Sequence, residues 1–152
     1  MKKVIMSAAL FFTIVLPAGT NAASQADCAA LKNIFQTDVK SDDGICKVEI
    51  VRKSPNVTHI GSKLSPETME LGFHLVLEKV NDKTAVIGEF ALLQEEVNPV
   101  IDELRKGNID ISALHNHMLF EEPRIMYLHF QGTGNMTQQA EAIKNAIAKT
   151  SK

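Results

Sequence analysis

The sequence predicts an α+β fold, a single domain in which three helices pack on one mixed, mostly antiparallel sheet of about six strands. Three observations carry that prediction. Leu71, Phe73, Leu75 and Leu77 alternate as in a strand with one buried face. Thr84 to Leu93 is apolar on both faces, as in a central strand. Helical apolar spacing occurs near the start, in the middle and at the end of the chain. The order is helix, four strands, helix, two strands, helix, without repeat, heptad or low-complexity tract.

The chain of 152 residues opens on Met1-Lys2-Lys3, the apolar run Val4 to Pro17, and then Ala18 to Ala23. That is the pattern of a secretory signal peptide, with Thr20-Asn21-Ala22 as a small-x-small cleavage signal. The apolar run is shorter than the ~20 residues needed to span a bilayer. Residues 1–22 are therefore expected to be removed, leaving 23–152 as the domain and taking the net charge from −2 to −4 with the loss of Lys2 and Lys3. A mildly acidic surface without a basic run gives nucleic acid no electrostatic footprint, and no later segment is apolar and long enough to span a membrane. The expected compartment is periplasmic or secreted, and the expected partner is a small molecule or a metal ion; the oligomeric state stays open.

In an oxidising compartment, Cys28 and Cys46 are expected to form a structural disulfide closing a loop of about 18 residues, which suggests roughly 3 kcal/mol. Their spacing fits no zinc-ligand pattern and neither sits in a C-x-x-C pair.

Ser24 reads as the N-cap of a helix over Gln25 to Phe35, with Ala29, Leu31, Ile34 and Phe35 as its apolar stripe. Ser41-Asp-Asp-Gly44 then breaks the chain. Strands are expected at Ile45 to Arg52, at Val57 to Ile60 and at Glu70 to Val80, with His74 on the less apolar face of the third. Asn81-Asp-Lys83 turns the chain into Thr84 to Leu93, where Glu89 interrupts the apolar run. A carboxylate in a central strand must be paired, hydrogen-bonded or a ligand, because burying it alone is costly.

Glu95 to Lys106 reads as a helix with acid at its start, base at its end and Gly107 at its C-cap. Pro99 allows a later start, with Asn98 as N-cap, and Glu95 and Glu96 read as a solvated first turn. Gly132-Thr-Gly134 is a turn, Asn135 a cap, and Ala140, Ile143, Ala146 and Ile147 the buried face of the last helix.

Between these helices, Ala113 to Gly132 holds three of the five histidines. Strand alternation puts Ala113, His115, His117, Tyr127, His129 and Gln131 on one face and Leu114, Met118, Phe120, Met126, Leu128 and Phe130 on the other, core face. A three-residue connection at Glu121-Glu122-Pro123 places His115 opposite His129 and His117 opposite Tyr127; a slip of two still leaves a histidine pair.

Three imidazoles on one hairpin face suit a zinc or copper ion, with Glu89 or Glu121 as a fourth ligand. The alternative is a metal-free cleft for a small ligand, in which Tyr127, Gln131 and Glu121 join the histidines; a third reading leaves the histidines as hydrogen-bonded structure. His115-x-His117-x-x-x-Glu121 resembles only half of a cupin motif, and His115-Asn116-His117 spells a nuclease motif without its basic surface. No Ser-His-Asp or Cys-His arrangement is legible, so no catalytic residue or reaction is assigned.

Four stretches resemble the LppY/LpqO family of exported bacterial proteins: Gly88-Glu-Phe-Ala-Leu-Leu93, Glu95-Glu-Val-Asn-Pro-Val-Ile101, Ala113-Leu-His-Asn-His-Met118 and Pro123-Arg-Ile-Met-Tyr-Leu-His-Phe-Gln-Gly-Thr-Gly134. The resemblance spans nearly all of residues 23–152, in a single copy where many members are duplicated. It implies export and a shared fold; the family's function is unknown, so it implies no reaction.

Overall fold

The run that is apolar on both faces becomes the inner strand Lys83–Leu93, with neighbours on either side. The computed structural model describes residues 21–151, with side chains from residue 27 onward. Apart from Asn21 and Ala22, which lie in the first helix, the expected signal peptide falls outside them. The helices are α1 (Asn21–Phe35), α2 (Gln94–Lys106) and α3 (Met136–Ile147). The strands are β1 (Val39–Asp42), β2 (Ile45–Val51), β3 (Thr58–His59), β4 (Ser62–Lys63), β5 (Gly72–Val80), β6 (Lys83–Leu93), β7 (Asp110–His115), β8 (Glu121–Glu122) and β9 (Ile125–Gly134). They form a six-stranded sheet in the order β1-β2-β5-β6-β9-β7 and a small sheet in the order β4-β3-β8.

The fold is α+β as expected, but every ladder is antiparallel rather than mixed. α2 does carry the chain across from β6 to β7, two strands running the same way. β9 then inserts between them, antiparallel to both. Nor does Ser41 to Gly44 simply break the chain. Asp42 pairs with Ile45 around a two-residue turn whose Asp43 (φ 42°) and Gly44 (φ 85°) take the left-handed conformation that tight hairpins need.

The helices cover one face of the main sheet. Phe73, Phe90 and Phe130 meet edge to face at its centre, with ring centroids 4.7 and 4.8 Å apart. Gly88 makes room for them: a Cβ there would lie 2.2 Å from Cζ of Phe130. Leu31, Leu75, Leu104, Leu128 and Ile143 are buried around this centre, each contributing about 1.5–3 kcal/mol of burial. Cys28 and Cys46 are bridged with their Cα atoms 5.4 Å apart, tying α1 to β2.

Helix ends depart from expectation in two places. α1 already runs through Ser24, so that residue is inside the helix rather than its cap. α2 starts at Gln94, with Pro99 in its interior, and the backbone N–H of Leu93 donates to Oε2 of Glu96 at 2.9 Å. Asn135 caps α3 as expected, its side chain accepting from the N–H of Gln138.

Glu96 is not solvated. It is buried and receives both terminal nitrogens of Arg52 at 2.9 Å, while Ser151 donates to it through backbone and hydroxyl. Burial opposes its ionisation, but the Arg52 guanidinium and the N–H groups of Ser151 and Leu93 hold its carboxyl below the ordinary range.

Odd positions of β9 and β6 face the other way. There Ala91, Ile125 and Tyr127 pack with Val57, Met69 and Leu71 into a second apolar cluster at one end of the sheet. The rest of that face carries the histidines.

Candidate metal centre

β9 presents His129 on the open face, and the register aligns it with Glu89 on β6 and, beyond that, His74 on β5. Here Oε2 of Glu89 lies 3.1 Å from Nε2 of His129.

His115 comes from the neighbouring strand, in a register two residues from the expected one. Ala113 pairs with His129 and His115 with Tyr127, after an irregularity between Ile111 and Ala113. The cause is the connection. It runs over residues 116–124 rather than three residues, and within it Glu121–Glu122 leaves the hairpin to pair with β3. Asn116 turns the chain by donating to the carbonyl of Met118 at 2.7 Å. Leu114, expected on the core face, is already exposed within β7, and after His115 strand alternation lapses: Leu119 and Phe120 are exposed, and Met118 packs with the Tyr127 cluster rather than the main core. Met126, Leu128 and Phe130 keep the core face as expected.

The slip brings the histidines together nonetheless. Nε2 of His115 lies 2.9 Å from Nε2 of His129, and His115, His117 and His129 offer ligand atoms within 4.8 Å of one another. His117, beyond the strand, is placed by stacking: its ring lies 3.4 Å from that of Tyr127 at an interplanar angle of 4°, and its Nδ1 is 3.4 Å from Glu70 Oε2.

One nitrogen, Nε2 of His129, thus faces both an imidazole nitrogen and a carboxylate oxygen. Nε2 carries either one proton or one lone pair, so it cannot serve both neighbours well by hydrogen bonding alone. A cation accepts lone pairs from all of them. Nitrogens bound at ~2.0–2.1 Å to a tetrahedral zinc lie about 3.3 Å apart, so His115 and His129 need part only slightly to share one. Three imidazoles with an adjacent carboxylate are a donor set that suits zinc or copper.

The other candidate residues are placed differently. Tyr127 shares the histidine face but is buried, and its hydroxyl donates to the carbonyl of Met69 at 2.6 Å. Burial, followed by the charges of Glu70, Glu89 and Glu121, pushes its phenol up to about 12, so it stays neutral. Glu121 is buried in the small sheet opposite His59, and neither of its carboxylate oxygens has a hydrogen-bond partner among the described residues. Neither Glu121 nor Glu89 is among the ligand atoms that gather within 4.8 Å of one another at the triad, and exposed Gln131 has Asp110 and Ile87 as its register partners.

Sequence reasoning missed Glu70. It was expected to open a strand; instead it sits at φ 52° just before β5 and reaches His117. Glu70 and Glu89 also line a cleft of about 420 Å³ beside the triad, with Glu49, Glu67 and His74. No helix among the described residues is long and apolar enough to cross a membrane.

Comparison with known families matches residues 29–149 to the one described as Domain of Unknown Function (DUF1259). No curated protein and no solved structure matches the chain.

Proposed function

Because the chain belongs to the Domain of Unknown Function (DUF1259) family, whose description assigns no activity, we propose a function from the site itself: an exported protein that binds a zinc or copper ion through His115, His117 and His129. Glu89 is the fourth ligand in this reading. The observation that carries it is the convergence of Nε2 of His115 and Oε2 of Glu89 on the same nitrogen of His129, at 2.9 and 3.1 Å. When bound, such an ion supplies Lewis acidity; the chain's own contribution is to fix the imidazoles by strand register and by the stack on Tyr127.

Export and LppY/LpqO kinship are part of the same proposal. The basic start, apolar run and small-x-small signal of residues 1–22 support secretion to the periplasm or beyond, and the Cys28–Cys46 bridge suits an oxidising compartment. The quoted stretches around Gly88, Glu95, Ala113 and Pro123 support the kinship.

A second reading has its own support, the cleft of about 420 Å³ lined by Glu70 and Glu89, the carboxylates that neighbour His117 and His129. Such a cleft is of a size for a small ligand, with Glu49, Glu67, Glu70, His74 and Glu89 as its polar wall. Metal analysis of the protein recovered from its exporting cell separates the two. Stoichiometric zinc or copper is the expected result; metal-free protein that gains no ion on incubation and carries an organic ligand overturns the metal reading. Intact mass of the same material, with and without reductant, is expected to show loss of residues 1–22 and one bridge.

A further inference from the structure

A second cleft, of about 620 Å³, lies between the end of β2 and the C-terminal end of α3. Its chemistry is the reverse of the cleft beside the histidines. Val51 and Phe73 line it from the sheet, and Ile147 and Ala148 from the helix. Lys53 and Lys144 are exposed cations in its lining, and among the described residues no carboxylate lines it. On a chain of net charge −2, that is a local inversion of the surface field.

The two lysines are poorly neutralised. Among the described residues Lys53 has no carboxylate within ion-pair distance, and Lys144 reaches only Glu141, at 3.8 Å in a half-exposed pair of little worth. Arg52, which also lines the cleft, is different: Glu96 matches its charge from behind, so it serves as scaffold. By donating to the carbonyl of Ala91, to both oxygens of Glu96 and to Ser151, Arg52 fastens the end of β2 to β6, α2 and the segment after α3. The cleft walls are thereby fixed before any ligand arrives, which lowers the ordering cost of binding.

From this geometry we propose that the cleft binds a small amphipathic anion, an aliphatic carboxylate whose chain lies on Phe73, Ile147 and Val51 and whose head group is held by Lys53 and Lys144. The apolar walls set it apart from a site for an inorganic anion, and the poorly neutralised lysines from a site for a neutral lipid. The volume suits a small molecule. This site is independent of the histidine centre and stands whether or not a metal binds there.

The test uses the purified protein with decanoate, decan-1-ol and acetate as probes, followed by calorimetry and by amide chemical shifts. Decanoate is expected to bind about tenfold or more tightly than decan-1-ol, and acetate not at all. Shifts are expected at Val51, Phe73 and Ile147. The double substitution Lys53→Ala and Lys144→Ala removes two exposed side chains without touching the core, and is expected to erase the preference for decanoate over the alcohol. Equal binding of acid and alcohol, shifts that map elsewhere, an unchanged preference in the double variant, or no decanoate binding at millimolar concentration would each overturn the proposal.

Discussion

Two acid–base pairs lie on opposite faces of the main sheet and differ in how fully their carboxylates are partnered. Glu96 and Arg52 are buried at 5% exposure each, and the carboxylate is filled from three sides by Arg52, Ser151 and Leu93. Glu89 and His129, on the open face, are about 30% exposed and share one nitrogen with a second imidazole. The Glu96 carboxylate is filled, and on Arg52 only the buried Nε lacks a partner; the pair holds the end of β2, α2 and the C-terminal segment together. The crowded pair on the open face leaves Nε2 of His129 with two neighbours that a single proton or lone pair does not satisfy, which is what the proposed metal reading accounts for. Counting partners separates a structural pair from a candidate site where residue types alone do not.

That contrast makes stability predictions of graded size. Arg52→Ala strands a buried carboxylate and is expected to cost about 3–5 kcal/mol in denaturant unfolding. An effect under 1 kcal/mol would break the comparison. The same pair gives an acid limb. Glu96 is held below its ordinary value of 4.5, so its contribution is complete above that pH and is lost as pH falls through the lower folded value. Melting temperature measured across that range is expected to fall less steeply in Glu96→Gln than in the parent.

Next in size is the bridge between α1 and β2. Replacing Cys28 and Cys46 by Ser is expected to cost about 3 kcal/mol in the same unfolding assay, because the released loop regains chain entropy. Chemical denaturation under reducing conditions should give a matching loss in the parent protein.

Tyr127→Phe removes the bond to the carbonyl of Met69 and is expected to cost about 1 kcal/mol. Its raised phenol predicts an alkaline limb of the opposite sense: stability is complete below the ordinary value of 10.0 and declines as pH rises toward about 12. The chain has a single tyrosine, so phenolate absorbance reads this group directly. A midpoint near 10 would show that the hydroxyl is solvated.

The smallest expected effect belongs to the site. Glu89→Gln should change stability by under about 1 kcal/mol, as for a partly exposed pair. A loss as large as that of Arg52→Ala would mean that Glu89 is structural and the contrast is false.

How much of this was legible follows from how far apart the deciding residues lie. β5 and β6 announce themselves, since the alternation at Phe73, Leu75 and Leu77 and the run through Phe90 and Leu92 are local. The burial of Glu96 depends on a partner 44 residues away. A clue did exist, because Cys46, Val48 and Ile50 share one parity on β2, Arg52 just beyond its end continues it, and that parity faces the helices. The small sheet has strands of two residues each, too short for any periodicity to mark. Its capture of Glu121–Glu122 lengthened the hairpin connection and shifted the histidine register. Parity survives a slip of two, and so His115 and His129 could be paired from sequence while Glu70, arriving from a left-handed turn, could not.

The most direct test of the central claim is to titrate zinc and copper into the parent protein, the single variants His115→Ala, His117→Ala and His129→Ala, and the double variant lacking His115 and His129. The account predicts that each single change weakens binding by about 100-fold or more and that the second adds little, since a site missing one of three ligands is already broken. Equal affinity in parent and single variants, or no binding in any of them, would contradict it.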